Sequence, residues 1–337
     1  MRYIVISRYR LTVMLLCFLI VCSLFLSLIM HTGKAVPVSE AYSDGYIKWV
    51  DFNVPYAALK KAVDIDIKSH ENEDGIKISA VNLLAYLSCK YGNNYSNYKA
   101  KDLESLAARL KEGASIESLT ENMRYFPYYK ESYTAIMDKF LGDYTVTKNG
   151  VTERKYGLTV FSPIAQGYAN SSYDDFGNGR SYGFKRKHLG HDIMASSGTP
   201  IIAIESGTVT ECGWNRYGGW RIGIKSFDGK RYYYYAHMQK DKPYHDNIKS
   251  GAGVKAGDVI GYVGRTGYST TENTNNINKN HLHLGLQLIF HPSQETGEKE
   301  IWVDMYAITK LLRTHTMPVK KNPETKDFDS SLDFNIS

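Results

Sequence analysis

Apolar residues follow three different patterns along this 337-residue chain. Residues 11–30 form an almost unbroken apolar run, interrupted by one threonine and two serines. Between residues 46 and 145, apolar positions recur with the spacing of an α-helix, whereas short β-branched or aromatic runs separated by glycines follow Gly150. Periods of 3.6 and of 2 residues indicate helices and strands respectively. The pattern therefore predicts an α+β multidomain chain.

The first apolar run is long enough to cross a membrane as a helix, which takes about 20 residues. Three arginines precede it within residues 1–10. Because positive flanks stay in the cytoplasm, we expect a cytoplasmic N-terminus at 1–10, a membrane anchor at 11–30 and an extracytoplasmic remainder. A cleaved signal peptide is the alternative, with Gly33-Lys34-Ala35 as a usable cleavage site.

After a tether at 31–45, apolar stripes with helical spacing predict a compact helical domain over residues 46–145. The stripes comprise Ile76, Ala80, Leu83, Leu84 and Leu87, then Leu103, Leu106, Ala107 and Leu110, and finally Tyr129, Tyr133, Ile136, Met137, Phe140 and Leu141. The acidic residues between them fall in polar turns and helix starts, where caps and solvated faces are expected. The function of this domain cannot be determined from its sequence.

The strand-like runs after Gly150 predict an antiparallel all-β domain over residues 155–313. An amphipathic helix at 304–312 is expected to close this domain. Residues 314–337 are rich in lysine, asparagine, aspartate and serine and contain few apolar positions. Such a composition predicts a disordered tail.

Composition narrows the possible functions. The chain is 43% hydrophobic and 23% charged, with a net charge of +6, so it can form real cores and is not globally disordered. No arginine- or lysine-rich helix points to nucleic acid as a partner, whereas an anionic membrane or cell-wall surface fits the charge. Of four cysteines, only Cys89 and Cys212 lie outside the apolar run, in different predicted domains. No disulfide framework is therefore implied.

Seven of the ten histidines lie between His188 and His291. His188 and Asp192 flank Gly190, although this pair alone is weak evidence because residues four apart also share an ordinary helix face. His281 and His283 alternate on a predicted strand, so both imidazoles point to one side. With His237 at the end of another predicted strand, three segments each supply a group that zinc accepts.

Several motifs occur together and in order. They are His188, Gly190, Asp192 and Ala195; Gly198-Thr199-Pro200; Gly207 and Val209; Tyr235-Ala236-His237; Gly257-Asp258, Ile260-Gly261, Val263-Gly264 and Thr266-Gly267; and His281 with His283. Over about residues 160–292, these motifs resemble those of the lysostaphin/LytM-type zinc peptidases.

This resemblance implies a small antiparallel β-sheet groove that hydrolyses peptide cross-links of peptidoglycan. It implies that Zn²⁺ is bound by His188, Asp192 and His283, while His237 and His281 act as catalytic groups that do not bind metal. Two imidazoles and one carboxylate leave a fourth zinc position open for water, as in catalytic zinc sites. His191 should point away from this group if its segment is extended.

Two stretches depart from the family pattern. A polar insertion at residues 270–280 precedes His281, and we expect it to be a mobile loop at the rim of the groove. After His283, where many relatives have an aromatic residue and then an acid, this chain has Leu284-Gly285-Leu286-Gln287. The family's contacts around His283 therefore do not carry over directly.

The sequence thus predicts a membrane-anchored, extracytoplasmic zinc endopeptidase of bacterial peptidoglycan, with a helical domain that offers a surface for a cell-envelope protein partner. A protein of another class is the alternative, because some relatives have lost their metal ligands and act as envelope scaffolds or activators through partners. Retention of all five metal and catalytic positions favours the enzyme. A secreted hydrolase would result if the anchor were cleaved.

Overall fold

The computed structural model describes residues 42–43, 46–148, 150–181, 185–295, 297 and 299–336. The segments predicted as cytoplasmic (1–10) and membrane-spanning (11–30) lie outside these residues, as does most of the tether. Within the described ranges, no helix is both long and apolar enough to cross a membrane. Contacts along the chain group Tyr42–Ser337 into one compact unit, so the residues predicted as two domains pack together as one body.

Two short strands and five helices form the first part of this unit. They are β1 (Tyr42–Ser43), β2 (Tyr46–Ile47), α1 (Tyr56–His70), α2 (Ala80–Tyr91), α3 (Ala100–Lys111), α4 (Ile116–Thr120) and α5 (Phe126–Met137), with a 3-10 turn at Tyr95–Asn97.

The start and end of α2 follow directly from its sequence. The Ser79 hydroxyl accepts a hydrogen bond from the Asn82 backbone N–H at its start, and Gly92 ends it in the left-handed conformation at φ 58°. Leu83, Leu84 and other members of the predicted stripes are buried. The predicted stripe began too early, however, because Ile76 precedes α2 and is 50% exposed.

A buried aspartate connects the helices to the next hairpin. The Asp66 carboxylate on α1 accepts a hydrogen bond from the Ala80 backbone N–H at 2.7 Å and another from the Tyr156 hydroxyl at 2.9 Å. Tyr156 lies on β4 (Val151–Leu158), which pairs with β3 (Leu141–Lys148). The helical part therefore ends at a β-hairpin that begins inside the segment predicted to be helical.

The predicted disorder of residues 314–337 is wrong for the residues described up to 336. They contain β17 (Val319–Lys321), β18 (Phe328–Ser330) and β19 (Asp333–Ile336), and β19 pairs with β3. The apolar positions are few, but Met317 and Phe334 are buried in a cluster around Phe161. The composition was misleading because a few buried apolar side chains are enough to order short strands when a neighbouring strand offers unpaired backbone groups at its edge.

The second part of the unit is built from strands. They are β5 (Asn170–Ser172), β6 (Gly179–Ser181), β7 (Lys185–Lys187), β8 (His191–Ala195), β9 (Pro200–Ile202), β10 (Gly207–Asn215), β11 (Gly219–Ser226), β12 (Arg231–Ala236), β13 (Gly253–Val254), β14 (Val259–Tyr262), β15 (His281–Leu288) and β16 (Ile301–Val303), followed by α6 (Tyr306–Leu312), with a 3-10 turn at Pro292–Gln294.

The main sheet has eight strands in the order β13-β10-β11-β12-β15-β8-β5, with β16 also paired to β15. Its named pairings are all antiparallel, which confirms the predicted antiparallel β class. Along β12, Tyr233 and Tyr235 are fully buried, while Tyr232 and Tyr234 are partly exposed on the opposite face. The open face of the sheet therefore carries aromatic side chains.

Arg231 explains why the helical and β parts form one body. Its buried guanidinium is paired with Glu205 at 2.8 Å and donates a hydrogen bond to the Ala135 carbonyl of α5 at 2.7 Å. A buried charge is tolerated only when it is paired and fully hydrogen-bonded. The hydrogen bond from Arg231 to the Ala135 carbonyl therefore fixes α5 against the sheet.

Candidate active site

The structure brings all five predicted site residues into one cleft of about 300 Å³. His188 precedes β8, Asp192 lies on β8, His237 follows β12, and His281 and His283 lie on β15. On neighbouring strands β8 and β15, Asp192 and His283 are direct partners, and Ala236 of β12 pairs with His283 on the other side. Antiparallel strand pairing thus brings together residues that are far apart in sequence.

Three of these residues direct the atoms that could bind a metal at one another. These three atoms, from His188, Asp192 and His283, are called the donor triangle below. His188 Nε2 lies 3.0 Å from Asp192 Oδ1 and 3.0 Å from His283 Nδ1, and the latter two atoms are also 3.0 Å apart. Tetrahedral zinc, with bonds of about 2.0 to 2.2 Å, separates its ligand atoms by about 3.3 to 3.6 Å. Shifts of about 0.5 Å would therefore let this triangle hold the ion.

The electrostatics of the cleft suit a cation. Although burial opposes the charged form, hydrogen bonds with His188 and His283 lower the pKa of Asp192 far below its usual range, so the carboxylate is ionised. Burial lowers the pKa of His283, which is offset in part by Asp192. Neutral imidazole is the form that binds metal.

His237 and His281 form the other side of the cleft, with ring centroids 4.8 Å apart. The His237 Nδ1 lies 2.9 Å from the Thr266 carbonyl, and the His281 Nδ1 lies 2.9 Å from the Lys279 carbonyl. Because a carbonyl only accepts, each Nδ1 carries the proton and each Nε2 is left as an acceptor. Burial holds the pKa of His237 well below its usual range, so this ring is a neutral base at pH 7.

His191 lies outside the cleft, as predicted. It alternates with Asp192 along β8 and therefore faces the other side of the sheet. There it is 1% exposed and packs edge-on against Tyr306, with ring centroids 5.7 Å apart. Within the described part of the chain, neither ring nitrogen has a hydrogen-bond partner.

The polar insertion lies at the rim, where Ile277 lines the cleft. It is nevertheless tied down, unlike the mobile loop expected from its composition. The Asn273 side-chain oxygen accepts hydrogen bonds from Trp220 Nε1 at 2.8 Å and from the Asp241 backbone N–H at 2.9 Å. Its amide nitrogen donates to the Asp241 carboxylate at 2.6 Å. An inward-turned asparagine is indistinguishable by composition from a solvated one.

A second cleft, of about 620 Å³, continues from the first and shares Arg186, Tyr234 and His283 with it. Trp302 of β16 lines its wall and packs so closely over Gly285 that a Cβ there would lie 2.6 Å from the indole ring. Tyr234 of β12 packs edge-on against His283, with ring centroids 6.0 Å apart. An aromatic side chain from another strand therefore stands beside His283, where the family pattern has a nearby aromatic residue in sequence. The two clefts together form a groove.

Sequence reasoning missed two residues that touch the donor triangle, Asp175 and Arg180. Arg180 Nη2 lies 3.1 Å from Asp192 Oδ2, and Asp175 Oδ2 lies 3.2 Å from His188 Nδ1. Their short separation from His188 was visible in the sequence. No periodic pattern marks this segment, however, so the folded hairpin was needed to show the contacts.

Comparison with known proteins agrees with the geometry. Residues 186–294 match the family model described as peptidase family M23. An L-Ala–D-Glu endopeptidase of Bacillus subtilis is 39% identical over 159 residues, which are 47% of this chain and 45% of that protein. Lysostaphin of Staphylococcus simulans is 45% identical over 98 residues, which are 29% of this chain and 17% of that protein.

A solved protein of Ruminococcus gnavus, described as a glycyl-glycine endopeptidase LytM, has a TM-score of 0.53 and 25% identity. This likeness covers 80% of the present chain and 91% of that protein, so it extends beyond the segment matched by the family model. The chain spans less than half the length of each of the two curated relatives. Residues 186–294 thus match peptidase family M23, and the similarity to the lysostaphin/LytM-type peptidases is shown for this domain.

Proposed function

We propose that this chain is a zinc endopeptidase that hydrolyses a peptide bond in peptidoglycan peptides. The observation that carries the proposal is the triangle of donor atoms from His188, Asp192 and His283, which opens into a groove beside two further histidines. The matched relatives, one of them named for cleaving an L-Ala–D-Glu bond, support an endopeptidase. A D-amino acid in the cleaved bond is typical of cell-wall peptides.

His188, Asp192 and His283 would hold the zinc ion, and the donor set of two imidazoles and one carboxylate is that of a catalytic rather than a closed structural site. When bound, zinc lowers the pKa of water and polarises a carbonyl oxygen.

His237 and His281 supply the proton chemistry. A neutral Nε2 accepts the proton released as water attacks the peptide carbonyl, and the resulting imidazolium donates a proton to the departing amine. The other imidazole is placed to hydrogen-bond the oxygen of the tetrahedral species when protonated. Both rings are fixed by backbone carbonyls at Nδ1, so little reorientation is needed during the reaction.

The groove supports a peptide rather than a small metabolite as substrate. It extends from the donor triangle past Tyr232, Tyr234 and Trp302, and both lysines and glutamates line it, with Lys225 paired to Glu295 at 3.0 Å. Aromatic walls contact an extended backbone, while side chains of both charges suit a peptide that carries amino and carboxylate groups.

We further propose that the apolar run at residues 11–30 anchors the protein in the membrane with the peptidase outside the cytoplasm. Its length and the preceding arginines support this placement. The helical part is proposed to offer a surface for an envelope protein partner.

The test is incubation of the purified full-length chain with defined muropeptides, read by mass spectrometry. We expect cleavage of one peptide bond that stops with a chelator and returns with added zinc. His188→Ala should be inactive in the same assay. If the zinc-loaded protein cleaved none of a broad set of muropeptides, the proposed peptidase activity would be wrong. The result would favour a scaffold that acts through partners.

A further inference from the structure

Asp175 and Arg180 lie directly behind the three donor residues. Asp175 comes from the loop before β6, and Arg180 lies on β6. The guanidinium of Arg180 contacts the carboxylates of both Asp175 and Asp192. The side chains of Asp175 and Asp192 are only 15% and 13% exposed, whereas that of Arg180 is 40% exposed. The two carboxylates are therefore shielded from water while the guanidinium remains partly solvated.

Asp175 places two hydrogen-bond acceptors at the Nδ1 of His188. The Nδ1 of His188 lies 3.2 Å from the Asp175 side-chain Oδ2 and 3.3 Å from its backbone carbonyl. Arg180 Nη2, also 3.3 Å away, cannot accept a hydrogen bond. The two oxygen acceptors of Asp175 therefore favour the tautomer with the proton on Nδ1. This tautomer leaves the Nε2 lone pair free for a metal, whereas in the metal-free protein the hydrogen bond between Nε2 and Asp192 Oδ1 competes with it.

Arg180 fixes the rotation of the Asp192 carboxylate. Its Nη2 donates to Oδ2 at 3.1 Å, whereas Oδ1 is the oxygen 3.0 Å from both His188 and His283. With Oδ2 held outside the triangle, one oxygen remains for the cation. The same guanidinium balances two neighbouring carboxylates that would otherwise repel each other.

We propose that Asp175 and Arg180 are positioning residues that raise the zinc affinity of this site, Asp175 through the tautomer of His188 and Arg180 through the orientation of Asp192. The inference rests on the proposed zinc site. A residue that hydrogen-bonds the atom of a metal ligand that does not bind the metal typically raises metal affinity by about 10-fold to 100-fold. Asp175 Oδ1, buried and without a hydrogen-bond partner among the described residues, has no competing partner that would pull the carboxylate elsewhere.

The experiment measures the zinc dissociation constant of the full chain by competition with a chromophoric chelator, together with the melting temperature of the metal-free protein. The variants are Asp175→Ala, Arg180→Gln and the conservative Arg180→Lys. Lys185→Gln is the matched control, because Lys185 is an exposed cation on the neighbouring strand β7. It removes the same charge from the same hairpin.

We expect Asp175→Ala and Arg180→Gln to weaken zinc binding by about 10-fold to 100-fold, with partial recovery in Arg180→Lys and wild-type affinity in Lys185→Gln. The melting temperature of the metal-free variants should stay close to wild type. Wild-type affinity in both variants, with or without a lower melting temperature, would overturn the positioning role and leave the proposed zinc site standing. A wild-type chain that binds no zinc would instead remove the proposed function itself.

Discussion

Gly190 leaves the space that the imidazole of His283 occupies. A Cβ built at position 190 would lie 2.4 Å from Cε1 and 2.6 Å from Nε2 of that ring, and 2.9 Å from the Leu284 carbonyl oxygen. No flexible side chain can yield to such an overlap, because the ring is one of the three donors and the carbonyl is part of β15. The glycine between His188 and Asp192 is therefore a requirement of the donor triangle.

Gly190→Ala should consequently push His283 out of the triangle. We expect zinc affinity to fall by at least about 10-fold, and overpacking of this kind typically also destabilises a fold by about 1 to 3 kcal/mol. Chelator competition and thermal melting measure the two effects. Gly253→Ala is the control, since a Cβ there meets no atom of the described chain within 4 Å. Unchanged zinc affinity in Gly190→Ala would show that His283 is not held where the structure has it.

Loss of His237 should separate catalysis from metal binding. His237→Ala is expected to keep its zinc, because His237 is outside the donor triangle, but to lose about 10²-fold or more in muropeptide cleavage. Zinc analysis and a cleavage time course are run on the same preparation. His291→Ala, which removes an exposed histidine away from the cleft, controls for the loss of an imidazole. Full activity of His237→Ala would remove its proposed role.

The anchored insertion at 270–280 is expected to influence which muropeptides are cut. Asn273→Ala removes three hydrogen bonds that hold the loop to Trp220 and Asp241, at a cost of about 1 to 2 kcal/mol in partly exposed surroundings. Zinc content should not change, whereas the ratio of cleavage rates across a muropeptide panel should. Asn275→Ala, an exposed neighbour, is the comparison. An identical product profile for Asn273→Ala would mark the loop as passive.

The C-terminal strands should contribute measurably to stability. Phe334 is 9% exposed and lies against Phe161 and Tyr144, with ring centroids 4.8 Å and 4.6 Å away. Truncation of a buried phenylalanine typically costs about 3 to 5 kcal/mol, so Phe334→Ala should lower the midpoint of denaturant unfolding. Asn335→Ala, exposed on the same strand, should have little effect. Equal midpoints for both variants would indicate that the tail does not pack as described.

The convergence of the site could be anticipated from the sequence, because it depends on strand periodicity. His281 and His283 share a face by alternation, and the pairing of β15 with β8 brings Asp192 opposite His283. The atoms that meet, Nδ1 of His283 rather than Nε2, depend on ring rotation. So do the contacts of Asp175 and Arg180, which need the hairpin of β6 and β7 to be folded. Local sequence carries no signal for either.

The division into two domains and a disordered tail could not be settled from the sequence for a related reason. The buried contacts of Arg231 with Glu205 and α5 join the helical part to the β part, although the spacing of apolar residues makes the two look independent. Sparse apolar residues such as Phe334 find partners only in the folded core. Long-range pairing decides these features, whereas helices such as α2 follow from local spacing and capping.

Zinc analysis of the purified full-length chain and its His188→Ala variant shows whether the three residues hold a metal. We expect about one tightly held zinc per wild-type chain and little or none in His188→Ala, with a lower melting temperature in the variant because ligation is coupled to folding. His291→Ala should retain the wild-type content. Equal zinc in wild type and His188→Ala, or none in either, would contradict the site formed by His188, Asp192 and His283.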